Sequence, residues 1–408
     1  MKKIIALLMA LVLVLGLAAC GGNAAEADTF KVGAIYINSK NDTAGYTFAH
    51  HNGITTAMKE LGLDVEKQLV IVDEVPEDKQ KVLDAVDTLV GEGADIVFGI
   101  SFGYIDALEE ASAAYPDVIF SHGTGYKANE TNFNNYFGRI YQARYLAGIA
   151  AGLKALEMGN DKIGYVAAHT TDYAETASGI NGFALGVQAV NPNAIVYVKN
   201  LNNWADEVNE KAYAEELISS FGCGVVSQHC DSAQPQIAAE NAGVFGCGYN
   251  SDMTPDAPKA HLTAAIWNWN VYYRTAMEAA MGCEKAADFV TKMGGNAYYG
   301  GLKEGFVDVS PLSENCAPKT AEIIDTVKAM MVNGEWDVFS GVKLQIDAAT
   351  GTVTKVDAAL ESNGFMYVDG NFNVPMENTV VVEAGGASVD DGVIKGSMNY
   401  LVKGVEEA

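Results

Sequence analysis

The chain has 408 residues, of which 49% are hydrophobic, and its formal net charge is −26. This length allows two domains of ordinary size, each with enough apolar residues to bury a core. The acidity argues against nucleic-acid binding, because no basic surface is available to neutralise phosphates, and against docking on anionic lipid.

The first residues carry the pattern of an export signal. Lys2 and Lys3 precede an apolar run at 4–19 that is shorter than the roughly 20 residues a membrane-spanning helix needs. We therefore predict a signal peptide at 1–19. The run ends in Leu-Ala-Ala-Cys, which resembles a bacterial lipobox and favours lipidation of Cys20, followed by a tether at 20–29. The alternative is a free thiol beside an ordinary cleavage site. Lipidation would anchor the exported protein on the outer side of the cytoplasmic membrane.

Strand-like and helix-like stretches then alternate. The predicted strands are 31–37, 69–73, 95–100 and 118–121, and the predicted helices are 44–61, 79–91 and 105–114. The rhythm restarts with helices at 144–157, 176–190, 207–219 and 234–242 and strands at 162–167, 195–201, 225–228 and 244–249. This alternation predicts an α/β fold with two Rossmann-like lobes built on parallel sheets. Ligands of such folds lie at the carboxyl ends of the strands, here in a crevice between the lobes.

The last part of the chain is less regular. It holds a predicted strand at 262–266, helices at 271–281 and 321–333, short strands from 342 to 382, and a terminal helix at 398–407. The short strands and their turns predict antiparallel decoration near 342–385. We assign 30–142 plus about 268–335 to the N-terminal lobe, and 143–267 plus about 336–408 to the C-terminal lobe.

Neither the cysteines nor the histidines form a metal motif. The cysteines after Cys20 are odd in number and show no CxxC or zinc spacing; they are Cys223, Cys230, Cys247, Cys283 and Cys316. Buried thiols are favoured over a disulfide. No P-loop and no G-x-G-x-x-G occurs. We predict no metal and no cofactor.

One motif suggests an enzyme. Residues 99–103 fit G-x-S-x-G between a strand and a helix, the setting of an α/β-hydrolase nucleophile, with Asp252 and His261 downstream of Ser101. Too few strands precede Ser101, no HGGG-like oxyanion segment occurs, and a triad across a moving cleft is hard to hold rigid. Ser101 and Phe102 suit ligand binding equally well, and we predict no catalytic residues.

Aromatic and polar side chains share the predicted strand ends. Tyr46, Trp204 and Trp267 could stack on a planar ligand, whereas core or hinge packing is preferred for Trp269 and Trp336. The polar candidates that could bond the edge of a heterocycle are Asp42, Asp172, Asp231, Asn250 and Asp252. Helix capping is the alternative for these residues, and for Asp231 it is an equally good interpretation.

Several blocks, in order, resemble one family. They are Gly-Tyr-Thr-Phe-Ala-His at 45–50, Ser-Phe-Gly-Tyr at 101–104, Tyr-Pro-Asp-Val at 115–118, Arg-Tyr-Leu-Ala-Gly at 144–148, Gly-Ile-Asn-Gly-Phe at 179–183, Trp-Asn-Trp at 267–269 and Met-Asn-Tyr-Leu-Val-Lys-Gly-Val at 398–405. From about residue 31 to 405 the chain resembles the basic membrane protein family of purine-nucleoside-receptor-like lipoproteins, which are substrate-binding proteins of ABC transporters.

The resemblance implies a type I periplasmic-binding-protein fold, with hinge crossovers and a cleft that closes on a purine base or nucleoside. It implies that Tyr46 and Trp204 sandwich the base and that Asp42 contacts its edge. Asn250 and Asp252 would reach the base or the sugar. The implied partners are a purine ligand and an ABC permease, and we expect a monomer.

One departure from the family bears on the ligand. Nucleoside-binding members carry a lysine that holds ribose hydroxyls where this chain has Trp267. An indole offers one N–H and much bulk in place of a flexible ammonium. This difference favours a free base such as adenine or hypoxanthine over a nucleoside. The alternatives are a sugar or other small polar solute, a sensor subunit, and the Ser101 hydrolase.

Overall fold

The computed structural model describes residues 29–43 and 45–408. The predicted signal peptide, nearly all of the tether and the predicted lipidation site Cys20 therefore lie outside the described residues. In the part that is described, no helix is both long and apolar enough to cross a membrane.

The first lobe is built on a six-stranded sheet. Its strands are β1 (Val32–Tyr36), β2 (Leu69–Val72), β3 (Ile96–Ile100), β4 (Ile119–Gly123), β5 (Phe133–Gly138) and β11 (Ala297–Gly300). Its helices are α1 (Gly45–Glu60), α2 (Val65–Gln68), α3 (Lys79–Gly91), α4 (Ile105–Ala114), α9 (Trp269–Met281) and α10 (Phe289–Met293). All strands are parallel, in the order β11-β5-β4-β3-β1-β2. Strands β1, β3 and β4 are buried along their whole length, as expected for a sheet covered on both faces.

The second lobe is built on a seven-stranded sheet. Its strands are β6 (Lys162–Ala167), β7 (Ile195–Asn200), β8 (Val225–His229), β9 (Phe245–Asn250), β10 (His261–Trp267), β12 (Val307–Val309) and β19 (Val405–Glu407). Its helices are α5 (Ile140–Glu157), α6 (Ala174–Val190), α7 (Glu207–Ser219), α8 (Gln234–Ala242) and α11 (Thr320–Val332). The order is β12-β10-β9-β8-β6-β7-β19, and only β12 runs antiparallel to its neighbour. The predicted α/β fold with two parallel-sheet lobes is confirmed.

Helices α5 and α6 form the best-buried layer of this lobe, because glycines let their backbones approach closely. A Cβ on Gly148 would lie 2.1 Å from the carbonyl oxygen of Phe183, and one on Gly186 would lie 2.1 Å from that of Tyr145. Larger side chains at these two positions would force the helices apart.

The chain ends in short antiparallel strands. They are β13 (Val342–Asp347), β14 (Thr352–Asp357), β15 (Leu360–Val368), β16 (Asn371–Pro375), β17 (Val380–Val382) and β18 (Tyr400–Val402), with helix α12 (Asp391–Gly396) between the last two. The predicted helix at 398–407 is wrong. Residues 400–402 pair with β15, and β19 extends the second sheet along β7, so both segments are held as strands by the edges they meet.

Three crossovers join the lobes: β5 to α5 at Arg139, β10 to α9 at Asn268, and β11 to β12 through residues 301–306. The domain assignment therefore needs a correction. Residues 301–335 were assigned to the first lobe, but β12 pairs with β10 and α11 packs on α5, so they belong to the second. Strands β5, β11 and β12 were not predicted. In β5 the paired Asn134 and Asn135 mask the apolar pattern.

Each crossover contributes an aromatic ring to one hinge cluster, formed by Phe137, Trp267, Trp269 and Phe306. The rings of Trp267 and Trp269 stack at 4.6 Å, and Phe137 and Phe306 lie 5.0 and 5.5 Å from Trp267. The preferred packing interpretation of Trp269 is confirmed by its 1% exposure. The cysteines at 223, 230, 247, 283 and 316 are free thiols; the first three are buried, as favoured, and the last two are partly buried.

Candidate functional site

The candidate site lies where the carboxyl ends of the two parallel sheets face each other. Strands β1, β3 and β4 are neighbours in the first sheet, and β6, β8 and β9 are neighbours in the second. The lobes touch at this edge. Gly45, at the start of α1, has φ of +82°, and a Cβ there would lie 2.7 Å from the backbone oxygen of Asp231 in the second lobe. The structure is therefore the closed arrangement of the two lobes.

Tyr46 belongs to the wall of the first lobe. Its ring contacts His50 at 4.2 Å and Trp269 at 6.4 Å, and its hydroxyl lies beside Thr124. Burial raises the pKa of Tyr46, and the charges of Asp231 and Glu175 raise it further. These two acids belong to the second lobe, whereas the hydroxyl itself lies against the end of β4, 3.4 Å from a Cβ built on Gly123.

Trp204 belongs to the wall of the second lobe, in the loop after β7. Its carbonyl oxygen accepts a hydrogen bond from the backbone N–H of Asp231 at 2.9 Å, which fixes the loop against the end of β8. The indole is partly buried and lies 5.6 Å from His169 and 5.8 Å from His229. The structure thus places Tyr46 and Trp204 on opposite walls.

Asp231 and Asn250 form the polar centre of the second wall. The Asn250 amide nitrogen donates to Asp231 Oδ1 at 3.0 Å, while the buried Asn250 Oδ1 has no hydrogen-bond partner among the described residues. Asn250 has φ of +68°, a conformation that costs energy for a residue with a side chain and tends to occur at functional sites. Burial, reinforced by the charge of Glu210, raises the pKa of Asp231 to about 7.

Asp42 lies opposite this pair in the first lobe. It sits in a turn in which its backbone N–H donates to the Ser39 oxygen at 3.1 Å. Burial, followed by the charges of Glu74 and Asp73, raises its pKa. The charge of Asp42 also raises the pKa of Asp231, although less than the charges of Glu210 and Glu175 do.

The sequence did not suggest that Glu175, a charged residue of the second lobe, belongs to this region. Glu175 Oε1 pairs with His229 Nε2 at 2.8 Å. Arg144, which is 1% exposed, lies with its guanidinium carbon 4.2 Å from the Tyr249 ring centre. Burial and the Arg144 charge lower the pKa of His229 to about 4, so this imidazole is neutral at physiological pH. An acid in the first turn of a helix is usually explained by the helix dipole, so the sequence carried no separate signal for Glu175.

Two predicted acids are occupied within their own loops. Asp172 accepts from His169 Nδ1 at 2.8 Å and from the Thr170 backbone N–H at 2.9 Å. Asp252 Oδ1 accepts from the Thr254 backbone N–H at 2.9 Å and pairs with His261 at 3.3 Å. Both therefore act as loop caps in this structure.

The region around Ser101 does not form a hydrolase triad. The Ser101 hydroxyl donates to Glu77 Oε1 at 2.5 Å, and the Gly103 N–H donates to the same oxygen at 2.7 Å. His261 pairs with Asp252 at 3.3 Å, but its other side-chain contact is with Ser310, and no hydrogen bond joins it to Ser101 among the described residues. A carboxylate that holds the hydroxyl together with a backbone N–H makes an anchored turn, not an activated nucleophile. Phe102 is 45% exposed at the rim of the same turn.

Trp267 lies on the hinge side of the cleft. It is only 6% exposed, and its indole N–H donates to the Tyr249 hydroxyl at 3.1 Å. It therefore contributes bulk beside the site, while its one donor is already used.

No three His, Cys, Asp or Glu side chains within residues 29–43 and 45–408 come together in a way that could hold a metal ion. The site is instead a closed seam of aromatic rings, carboxylates and an amide between two hinged α/β lobes. These features define the class of two-lobed solute-binding proteins, in which a ligand is held between the lobes.

The chain belongs to the Bmp family, described as ABC transporter substrate-binding protein PnrA-like, whose pattern it matches over residues 30–337. It is 32% identical over 322 residues to a protein of Haloferax volcanii named as an ABC transporter glucose-binding protein, covering 79% of this chain and 77% of that one. It is 31% identical over 325 residues to a purine-binding protein of Brucella abortus, covering 79% of this chain and 86% of the relative.

Solved structures share the fold. An ABC transporter solute-binding protein from Conexibacter woesei aligns with a TM-score of 0.60 at 18% identity, over 76% of this chain and 98% of that one. A solute-binding protein from Aeropyrum pernix aligns with a TM-score of 0.60 at 17% identity, over 78% and 93%. At these identities the likeness concerns the fold alone, which is the type I fold predicted from the sequence.

Proposed function

We propose that this protein is an extracytoplasmic receptor of an ABC importer that binds a purine, as a free base in preference to a nucleoside. The observation that carries the proposal is the Asp231–Asn250 pair, which lies on the second wall beside the loop of Trp204, where that lobe meets the first. Cys20, in a lipobox-like sequence, would anchor the protein to the membrane beside its permease.

Planar aromatic ligands suit this arrangement. Rings on both walls can stack on the two faces of a base, and each such contact adds roughly 0.5–1.5 kcal/mol beyond the buried area. The amide and carboxylate at the ends of β8 and β9 can then bond the edge of the ring. The purine-binding relative in Brucella abortus supports the same ligand class.

Trp267 supports the preference for a base without its sugar. A ribose needs room and donors for its hydroxyls, whereas this indole is bulky and gives its N–H to Tyr249. Asp252, which together with Asn250 was expected to reach the base or the sugar, contacts Thr254 and His261 through Oδ1.

Transport follows from lobe closure. Both walls of the site exist together only when Gly45 meets the loop of Asp231, so a ligand that contacts both walls stabilises the closed state. That closed shape would be the form that docks on the permease, with no chemical step.

A thermal-shift screen of the purified protein tests the ligand class. The panel holds purine bases, purine nucleosides, pyrimidines and simple sugars, and a ligand at a hundredfold excess over its Kd adds roughly 2.7 kcal/mol of stability. We expect bases to shift the unfolding temperature more than their nucleosides. A shift with nucleosides alone would contradict the role of Trp267. A shift with glucose alone would favour the second candidate, a sugar receptor, which the Haloferax volcanii relative supports.

A further inference from the structure

The C-terminal segment, residues 338–408, lies beyond the part of the chain that matches the family pattern. It is built onto the second lobe. Strand β19 pairs with β7, and the buried Asn181 side chain of α6 donates to the Tyr400 backbone oxygen at 2.9 Å. Helix α12 packs on α6 and buries Ile394. The C-terminal segment therefore moves with the second lobe when the lobes open and close.

One side chain, Arg139, connects this segment to the first lobe. Its backbone N–H donates to the Gly300 oxygen at 2.7 Å and its Nη1 donates to the Tyr299 oxygen at 2.5 Å, so Arg139 is bound to the end of β11 in the first sheet. From the same guanidinium, Nε donates to Asp391 Oδ1 at 3.1 Å and Nη2 donates to Asp391 Oδ2 at 2.5 Å. Asp391 is the first residue of α12, so a bidentate ion pair joins the two lobes beside the crossover at Arg139.

The ring of Tyr299 makes a second contact between the same elements. The guanidinium carbon of Arg139 lies 4.8 Å from the ring centre, and Lys395 Nζ of α12 lies 5.1 Å from it. Cations at such distances are attracted to the face of an aromatic ring. Because α12 belongs to the second lobe and β11 to the first, rotation about the crossovers changes these contacts, which are present here in the closed arrangement.

We propose that residues 338–408 act as a hinge brace, in which the Asp391–Arg139 ion pair favours the closed arrangement of the lobes and thereby raises ligand affinity. A ligand that binds only the closed state has an apparent affinity proportional to the fraction of closed protein. An interaction made only in that state therefore tightens binding without touching the ligand. The inference uses the lobe closure of the proposed function but not the identity of the ligand, and it gives Asp391 a positioning role.

The exposure of the pair sets the size of the effect. The side chains of Arg139 and Asp391 are 26% and 40% exposed, so water and salt screen their charges. Exposed ion pairs contribute little, whereas bidentate arginine–carboxylate geometry contributes more. We therefore expect loss of the pair to raise the ligand Kd roughly two- to tenfold at low salt. The difference should shrink at 1 M salt, where charges are screened over about 3 Å.

Titration of the purified protein with the tightest ligand of the panel tests the hinge brace. Asp391→Asn removes the charge but keeps the shape of the side chain, and should raise the Kd by the factor given above. Arg139→Gln should raise it at least as much, and adding Asp391→Asn to Arg139→Gln should have little further effect, because the two residues act through one contact. The control Glu361→Gln breaks a pair with Lys403, 2.9 Å apart within the C-terminal segment, and should leave the Kd unchanged.

An unchanged Kd in Asp391→Asn, or an equal rise in Glu361→Gln, would overturn the inference. A lower Kd in Asp391→Asn would also overturn it, because the pair would then favour the open state. If Arg139→Gln does not fold, Asp391→Asn and the salt dependence of its Kd decide the question.

Failure of the proposed function has a different signature. If only a sugar binds, the purine assignment fails, and the same comparison made with that sugar still tests the hinge brace. If no member of the panel binds, small-angle X-ray scattering of the ligand-free protein takes the place of titration. The radius of gyration should then be larger in Asp391→Asn than in the unmodified protein, and an unchanged value would overturn the inference.

Discussion

Gly45→Ala isolates lobe closure from the stability of either lobe. The structure assigns this position two separate constraints. Its φ of +82° is a conformation that costs a residue with a Cβ roughly 1–2 kcal/mol. Its Cβ would also lie 2.7 Å from the Asp231 backbone oxygen of the other lobe, closer than real Cβ contacts come.

The two constraints have different consequences. The φ strain belongs to the start of α1 and is present whether the lobes are open or closed, so it lowers stability without changing affinity. The contact with Asp231 exists only in the closed state. Overpacking of this kind costs roughly 1–3 kcal/mol, which corresponds to roughly a fivefold to 150-fold higher ligand Kd if the closed state bears it all.

Gly62→Ala is the matched control. Gly62 follows the same helix with φ of +74°, but nothing lies within 4 Å of a Cβ built there. Thermal unfolding of both variants, and titration of each with the tightest purine of the panel, separates the effects. We expect both to lose stability and only Gly45→Ala to lose affinity. Unchanged affinity in Gly45→Ala, or an equal loss in Gly62→Ala, would refute closure through this contact.

Trp204→Ala should raise the purine Kd by about tenfold through lost stacking, and should abolish ligand-dependent quenching of the Trp204 fluorescence. Trp204→Phe should keep most of the affinity. Equal affinity of both variants and the unmodified protein in titration would contradict stacking of Trp204 on the ligand. Lys343 is half-buried on β13, its ammonium has no hydrogen-bond partner within the described residues, and burial lowers its pKa to about 8. Because the unfolded chain binds a proton that the folded chain does not, stability should fall by roughly 3 kcal/mol as the pH drops from 10.5 to 8, and then stay level. Lys343→Met should remove this pH dependence and stabilise the protein at pH 7 in urea unfolding, and a destabilised variant would show that the ammonium has a favourable partner.

Local patterns were sufficient for much of the architecture. The 79–91 and 207–219 helices were predicted with the bounds of α3 and α7, and in the structure Asp78 and Asp206 cap them. Local patterns did not predict elements whose structure depends on partners from distant parts of the chain. Strand β5 is rich in asparagine, and the side-chain amide of its buried Asn134 hydrogen-bonds Tyr272, which comes from a helix far along the chain.

In the candidate site, too, local patterns predicted some features, whereas others depend on residues from distant parts of the chain. Tyr46, Trp204, Asp231 and Asn250 were predicted as site residues because they follow predicted strands, and the carboxyl ends of parallel strands meet at one edge. Nothing local distinguished Asp231 from a helix cap. Its partner Asn250 lies at the end of the next strand in the sheet, so the pair exists only after β8 and β9 align.

The sequence by itself determined the two-lobed α/β plan and the family, since periodicity, strand ends and ordered motif blocks are properties of neighbouring residues. Tertiary structure alone decided which partners each acid has. Asp172 accepts hydrogen bonds through both carboxylate oxygens within its own loop, whereas Asp231 accepts from Asn250 and Glu175 pairs with His229, residues that other strands of the sheet bring to them. The physical reason is that burial and hydrogen-bond satisfaction depend on groups brought together from distant parts of the chain, and the contact of Gly45 with Asp231 exists only once the lobes close.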